Sequence, residues 1–252
     1  MQLEVINTGS ELLLGQVLNT HLGWLSAQLL PLGLSIQRQQ TVPDGPEIRA
    51  ALSEALCRSS VIMVTGGLGP TSDDITRDVV SELLQAPLEH HPAIEDHIRA
   101  RFAAYKIPCP ASTRVQALVP RGATVLPNPN GTAPGLHLIH DNRHIFCLPG
   151  PPSELYPMFE ASVLPVLRQL SAGTPPLHQK VLRLIGLGES LVQEKAEAVL
   201  RSLGSIDIGY CARRGEVDLR LITRDPALLT RAAACARDIF GSAVYAEDDE
   251  TM

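Results

Sequence analysis

The stretch 61–78, Val-Ile-Met-Val-Thr-Gly-Gly-Leu-Gly-Pro-Thr-Ser-Asp-Asp-Ile-Thr-Arg-Asp, sets the tightest limit on what this chain can fold into. Residues 61–65 form an apolar, β-branched run, which reads as a strand covered on both faces, as in a parallel sheet. The run stops at three glycines and a proline, and a polar, acidic segment then opens a helix. Strand, glycine turn and helix start in that order bring main-chain N–H groups to where a helix N-terminus favours an anion. Gly66, Gly67 and Gly69 have no Cβ to block a phosphate and can turn their amides toward its oxygens. A plainer alternative is that Thr71 or Ser72 caps the helix while Asp73 and Asp74 counter its dipole, worth about 1 kcal/mol for the cap. The two readings overlap, but three glycines within four residues exceed what a cap needs.

The alternation of strand and helix continues on either side. Residues 3–6 predict a strand, a helix opens near 19–20 and ends at Gly33, 34–42 predict a second strand, and 46–57 a helix with Pro46 near its start. After the strand at 61–65 come a helix reaching 85 and a long one at 93–105. Runs at 136–139 and 144–148 flank Asp141-Asn142 as a hairpin with a tight turn, and a helix follows at 153–170. This order predicts a three-layer α/β/α domain at 1–170, with a mostly parallel sheet and helices on both faces. Residues 171–177, rich in Gly, Pro and small side chains, read as a linker to a second domain at 178–252. That domain reads as small α+β, from a strand at 180–185, a helix at 189–203, a hairpin around 213–215, a helix at 226–240 and a strand at 243–245. The acidic run Glu247-Asp248-Asp249-Glu250 is expected to be solvated and frayed.

Composition narrows the function classes. At 252 residues and 44% hydrophobic, the chain can build real cores. A formal net charge of -6 argues against general binding to nucleic acid or anionic membranes, so an anion must be gripped locally. The N-terminus has no charged segment leading into an apolar one, and no window reaches membrane-spanning length, so the expected location is cytoplasmic. Cys57, Cys109, Cys147, Cys211 and Cys235 are scattered without a C-x-x-C spacing, which indicates neither a disulfide framework nor a zinc site. His90-His91 does not match H-E-x-x-H, and His137, His140 and His144 lie along the hairpin, where alternation can point them apart. The glycines spell neither the dinucleotide nor the Walker fingerprint, which argues against nicotinamide redox chemistry and Walker-type ATP hydrolysis.

In a parallel α/β sheet, ligands bind beyond the carboxyl ends of the strands. The loops 8–11, 43–45 and 66–74 leave such ends, and each carries a carboxylate: Glu11, Asp44, and Asp73 with Asp74. Hard oxygen donors beside a phosphate cradle suit Mg²⁺ or Mn²⁺, with phosphates completing the shell. Metal-assisted chemistry on a phosphate ester or anhydride is therefore expected. Segments 130–135 and 148–154 add Thr132, Gly150, Ser153 and Glu154 to the same rim, each a weak signal alone, since Pro-Gly often marks only a turn and Ser153 reads equally as an N-cap.

Several motifs occur together: Gly-Gly-Leu-Gly-Pro-Thr-x-Asp-Asp at 66–74, Gly-Ser-Glu-Leu-Leu-Leu-Gly at 9–15, Gln-Ala at 116–117, Gly-Thr-Ala-Pro-Gly at 131–135 and Leu-Pro-Gly-Pro-Pro-Ser-Glu at 148–154. With Gly-Leu-Gly-Glu-Ser at 186–190 and Gly-Glu-Val-Asp-Leu-Arg at 215–220, they closely resemble the CinA (competence/damage-inducible protein A) family over nearly the whole chain. The resemblance implies a domain similar to the molybdopterin-binding domain, followed by a KH-like domain. It also implies a metal-dependent pyrophosphatase that converts ADP-ribose, or a related nucleotide diphosphate, to AMP and ribose 5-phosphate. Functional aspartates carried over by motif fall on Asp44, in Val42-Pro43-Asp44, and Asp74, in Asp74-Ile75-Thr76. Asp44, Asp74, Asp73 and Glu11 become candidate catalytic groups, and Asp44 and Asp74 candidate ligands for Mg²⁺, Mn²⁺ or Co²⁺. Candidate substrate contacts are Gly9, Ser10, Asn19, Gly66, Gly67, Leu68, Gly69, Thr71, Thr132, Gly150, Ser153 and Glu154.

The chain departs from the family pattern at His21, where Asn-Thr-Asn is common, and at Thr113, where Asn is usual. Many members continue into a nicotinamide-mononucleotide deamidase domain after the point where this chain stops, so that activity is expected to be absent and a separate deamidase polypeptide is a candidate partner. A homodimer is implied by the resemblance alone. The rival expectation is a binding module for molybdopterin or another pterin phosphate without hydrolysis. An RNA role for the KH-like domain is disfavoured because 178–252 has no G-x-x-G loop.

Overall fold

The computed structural model describes residues 1–248 and divides into two compact units. The first comprises Met1–Gln28 and Ser35–Ala172, and the second Leu29–Leu34 and the chain from Gly173 onward. Residues 29–34 therefore leave the expected first domain, and part of the expected linker is tied down. Within the second unit the Leu177 N–H donates to the Leu30 carbonyl at 2.9 Å, and the Arg224 guanidinium donates to the carbonyls of Gly33 and Pro175.

The first unit runs β1 (Leu3–Thr8), α1 (Ser10–Leu13), α2 (His21–Leu29), β2 (Arg38–Val42), α3 (Glu47–Arg58), β3 (Val61–Thr65), α4 (Thr76–Leu83), β4 (Leu88–His90) and α5 (Pro92–Ala104). It continues with β5 (Leu118–Pro120), β6 (Thr124–Leu126), β7 (Gly135–His140), β8 (Arg143–Leu148), α6 (Pro152–Met158) and α7 (Leu164–Leu170). Six strands form one sheet in the order β2-β1-β3-β8-β7-β6. Neighbours from β2 to β8 are parallel, and β7 is antiparallel to both β8 and β6, so β7 alone runs against the rest. This is the mostly parallel α/β sheet expected from the alternation, and β3 is buried along its whole length at the centre.

Side-chain alternation divides the core between the two faces of the sheet. Ile6, Ile62, Val64, Ile145, Cys147, Leu136 and Leu138 join the buried residues of α3, α4 and α5 in one cluster. Val5, Met63 and Phe146 take the opposite face, where Met158 of α6 approaches Gly135 of β7 too closely for a side chain there. Each such large apolar side chain contributes about 1.5–3 kcal/mol by leaving water. Glu4 is the charged exception in β1, 1% exposed. Arg58 at the end of α3 donates to both of its oxygens at 2.7 and 3.0 Å, and the Ser59 hydroxyl adds a third bond, so the buried carboxylate is satisfied.

Several local expectations change. Thr71 and Ser72 do not cap α4, which opens at Thr76 with Ile75 before it. Ser153 is not an N-cap either, because Pro151 holds that position. The single helix expected at 153–170 is broken by a π turn at Phe159–Val163 between α6 and α7. Pro157 and Pro165 lack the N–H an unbroken helix needs there. The β7–β8 hairpin turns at Asp141 and Asn142, with φ of 46° and 60°, as a two-residue loop requires. His137 and His144 do not point apart: they lie on one face, with Nε2 and Nδ1 3.0 Å apart, and His137 stacks on Phe146.

The second unit contains β9 (His178–Ile185), α8 (Glu189–Ser202), β10 (Asp207–Arg213), β11 (Glu216–Thr223), α9 (Pro226–Phe240) and β12 (Val244–Glu247). Its four strands pair antiparallel in the order β10-β11-β9-β12, and Leu182, Leu184, Leu219 and Leu221 form a core with α8 and α9. The acidic run does not fray at its start, since Glu247 pairs with Arg237 and Lys180, and Asp248 also pairs with Lys180. Asp249 and Glu250 lie outside the described residues. Among the described residues, no helix is long and apolar enough to cross a membrane.

Candidate functional site

The carboxyl ends of β1, β3 and β8 open onto a cavity of about 380 Å³. Its most constrained wall is the loop that leaves β3. Gly66 and Gly67 take φ of 97° and 68°, and a Cβ on Gly66 would lie 2.7 Å from the Thr8 carbonyl oxygen of β1. Thr76, the first residue of α4, holds the loop from behind: its hydroxyl donates to the Gly66 carbonyl at 3.0 Å and its amide to the Gly67 carbonyl at 3.1 Å. The carbonyls are thus committed, while among the described residues the amides of Gly67, Leu68 and Gly69 donate to no protein acceptor. Three free N–H groups in consecutive positions are what an anion cradle offers.

Beneath the loop lies Arg77, only 3% exposed, whose guanidinium donates to the Leu68 carbonyl at 3.2 Å. Burial pushes its pKa down, against the neighbouring charges of Asp78 and Asp74. An arginine stays charged even so, and places a cation behind the cradle.

The carboxylates come from separate loops that are fastened to the backbone. Asp44, after β2, accepts the Ser10 N–H on Oδ2 at 3.0 Å, and its own N–H reaches Ser10 Oγ at 3.4 Å. The two hydrogen bonds lash the β1 and β2 loops together. Asp74 accepts the Thr71 N–H at 3.0 Å and the Thr71 hydroxyl on Oδ2, and it lies over Gly69, where a side chain would collide with it. Asp73 beside it is held below the usual carboxylate range by the adjacent Thr71 side chain and its own backbone amide. Glu154 of α6 takes a 2.6 Å bond from Asn128 Nδ2, and its carboxylate fills the space over Gly131.

Most residues proposed from the sequence meet here. Glu11, Asp44, Asp73 and Asp74 all line the cavity, as do Gly9, Gly66, Gly67, Leu68, Gly69 and Thr71 from the first three loops. Thr132, Gly150 and Glu154 complete the opposite rim. Leu68 contributes main chain only, because its side chain belongs to the core. Ser10 does not line this cavity and instead positions Asp44. Asn19 lines an adjoining chamber, where its Oδ1 accepts the His21 N–H at the start of α2. Ser153 is exposed and borders neither space, and only its carbonyl is engaged, by Asn130.

Sequence reasoning gave no role to Gln116, Asn128 or Arg77. Gln116 is 1% exposed, lines the cavity and has no partner for Oε1. Its Gln-Ala motif was visible, but nothing in the sequence tied it to the glycine loop. Asn128 organises the opposite rim with two donated and two accepted hydrogen bonds.

Among the described residues, no three His, Cys, Asp or Glu side chains gather as a metal site. The donors around the cavity are carboxylate oxygens, and Oδ2 of both Asp44 and Asp74 already accepts a backbone N–H. This set fits a small, hard cation only if ligand phosphates complete its shell, as is usual for Mg²⁺.

Comparison with known proteins agrees with this architecture. Residues 4–169 match the family described as "Probable molybdopterin binding domain", and residues 179–246 match "Damage-inducible protein CinA KH domain". A CinA-like protein of Akkermansia muciniphila is 41% identical over 90% of this chain and 55% of its own length. A CinA-like protein of Dictyoglomus thermophilum is 36% identical over the whole of this chain and 62% of its own length. The chain thus spans under two thirds of these curated relatives. The crystal structure of the protein CinA with unknown function from Thermoplasma acidophilum superposes with a TM-score of 0.60 at 28% identity, covering 66% of this chain and 99% of that one. With a molybdopterin-binding-type α/β unit followed by a CinA KH unit, the chain belongs to the CinA family.

Proposed function

We propose that the cavity binds a nucleotide diphosphate together with a divalent cation and hydrolyses its diphosphate bridge, with ADP-ribose as the leading substrate and AMP and ribose 5-phosphate as products. One observation carries this reading: the unpaired amides of Gly67, Leu68 and Gly69 border the same space as the carboxylates of Asp44 and Asp74. The amides would hold one phosphate, with the Arg77 charge behind them adding to the attraction. Asp44 and Asp74 would share the cation with the diphosphate, each through the oxygen not used by a loop N–H. The cation, once bound, neutralises the diphosphate and lowers the pKa of an attacking water. That water adds its oxygen to one phosphorus, the bridging P–O bond breaks, and the released proton passes to solvent or to Glu11 or Asp73.

The test is ADP-ribose turnover with Mg²⁺, Mn²⁺ or Co²⁺ for the parent protein, Asp74→Asn and Asp44→Asn. Asn keeps the acceptor that fastens each loop and replaces the second carboxylate oxygen with an amide nitrogen, which removes both the charge and the oxygen that would face the cation. Turnover should fall by about a hundredfold or more in either variant, by analogy with loss of one strong electrostatic contact to a transition state. Full turnover in both folded variants would remove the site assignment. A second reading, pterin-phosphate binding without hydrolysis, is favoured by the description of the matched family. Tight pterin binding without cleavage of any nucleotide diphosphate would select it, because one fold carries both functions.

A further inference from the structure

The four-stranded sheet of the second unit ends in two unlike edges. At one, β12 has only four residues, its register with β9 shifts between Val244 and Ala246, and it closes on the acidic Glu247. Short, irregular and charged strands are how sheets blunt an edge against further pairing. At the other edge, β10 runs for seven residues in unbroken register with β11 and contains neither proline nor lysine. Among the described residues, the main chain of β10 hydrogen-bonds only to β11. The N–H and C=O groups of alternate residues therefore point out of the sheet without a partner.

The side chains along this edge are self-complementary. Asp207 and Arg213, both exposed, stand at its two ends, equally far from Tyr210 in sequence. Ile208 and Tyr210 turn toward the core shared with α8 and α9, and alternation puts Gly209 and Cys211 on the outer face, where the Arg220 guanidinium crosses Gly209. An antiparallel second copy, related by a twofold axis at Tyr210, sets Asp207 opposite the partner subunit's Arg213 and Gly209 opposite the partner subunit's Cys211. Both acid–base pairs then form at once, and the helix layers of the two copies stay on one side of a continuous sheet. Parallel pairing would bring like charges together at both ends.

We propose that β10 is a self-association edge, on which a second copy of this chain lays its own β10 to make one eight-stranded sheet across the dimer axis. Main-chain hydrogen bonds supply the attraction, and the two Asp207–Arg213 pairs set direction and register. Arg213 also holds Asp218 of its own chain at 2.8 Å, but its side chain is 51% exposed, and a guanidinium has donors left for a second carboxylate. Seven residues a side fall short of the roughly 20–30 in a standard interface, so association should lie in the micromolar range. The pairing is independent of what the cavity of the first unit binds.

Sedimentation velocity on the full chain, from about 1 to about 200 μM, should show a monomer giving way to a dimer. Asp207→Lys places a like charge opposite the partner subunit's Arg213 twice over and should weaken the dimer roughly tenfold. Gly209→Cys displaces only the flexible end of Arg220 and sets a thiol opposite the partner subunit's Cys211. Diamide, which takes up the two electrons, should then join the two sulfurs into a covalent dimer on a non-reducing gel, and adding Cys211→Ser should abolish it. A parent protein that sediments as a monomer throughout the range overturns the proposal. So does a dimer whose affinity is unchanged by Asp207→Lys, or one that gives no Cys211-dependent crosslink. Sedimentation of the parent protein requires no substitution, so a variant that fails to fold leaves the proposal open to refutation.

Discussion

Gly66→Ala is the sharpest perturbation of the cradle, because two separable penalties meet at one atom. The residue sits at φ 97°, and placing an L side chain in left-handed space costs roughly 1–2 kcal/mol. The added Cβ would also lie 2.6 Å from the Thr8 hydroxyl and 2.7 Å from the Thr8 carbonyl oxygen. The hydroxyl can rotate, but the carbonyl belongs to β1, which is held between β2 and β3, so the loop must move, at about 1–3 kcal/mol for overpacking. Together these give roughly 2–5 kcal/mol, which lowers the melting temperature by on the order of 10 °C in a protein of this size. Gly122→Ala is the matched control: its φ is 82°, but nothing lies within 4 Å of the new Cβ, so it carries the conformational strain alone. Losing even one hydrogen bond from the cradle to a phosphate should weaken pyrophosphate binding roughly tenfold or more. Thermal unfolding by circular dichroism and pyrophosphate calorimetry on both variants provide the comparison. A Gly66→Ala protein that melts with Gly122→Ala and binds pyrophosphate like the parent would refute the account of the loop.

Other consequences can be checked independently. Asn128→Ala removes four hydrogen bonds that order the 128–133 turn, and should cost about 3 kcal/mol in chemical denaturation. Arg77→Met should leave the buried Leu68 carbonyl without its donor and weaken pyrophosphate binding more than it weakens stability, a split readable by pairing calorimetry with urea unfolding. Arg237 and Lys180 hold the Glu247 carboxyl down at about 2, against an ordinary 4.5. A depressed carboxylate stabilises the fold above its unfolded pKa, so this contribution should be intact above pH 4.5 and drain away between there and pH 2. Glu247→Gln should flatten that part of the melting profile. Burial and His144 push His137 down to about 4 from 6.5, so the unfolded chain takes up the proton first and stability should fall as pH drops from 6.5 to 4. His137→Phe should remove that slope. Alkylation of the native protein should label the exposed Cys57, Cys109 and Cys211 and spare Cys147, whose thiol is pushed up to about 12 by complete burial.

The mostly parallel character of the central sheet was legible because the strands expected at 3–6, 34–42 and 61–65 alternate with helical segments, which requires parallel crossovers, and Asp141-Asn142 announces the reversal at β7, whereas the strand order leaves no such signal. Candidate residues next to punctuation, at the glycine loop, Asp44 and Glu154, could be found for the same reason. The short pieces could not: β4, β5 and β6 have three residues each and carry no usable periodicity. Residues whose value lies in a distant partner were equally hidden. Ser10 matters through Asp44 and Asn128 through Glu154, and neither pairing leaves a local trace. The meeting of the hairpin histidines depends on register, which alternation along a single strand does not reveal: Leu138 lies opposite Ile145, and this brings His137 diagonal to His144.

The second unit is assembled from the chain beyond Ala172 together with a hexapeptide that lies between β1 and β2 in sequence, so the two units cannot be separated by a single cut. Residues 29–34 are synthesised early, yet the Leu30 carbonyl must wait for the amide of Leu177 and the Gly33 carbonyl for the side chain of Arg224. A polypeptide truncated after Ala172 keeps every strand of the sheet but is left with an orphaned loop whose acceptors have lost their donors. An excised α/β half would therefore call for a redesigned turn between α2 and β2, whereas an excised KH half would have to be supplied with that hexapeptide in trans or by permuting the chain.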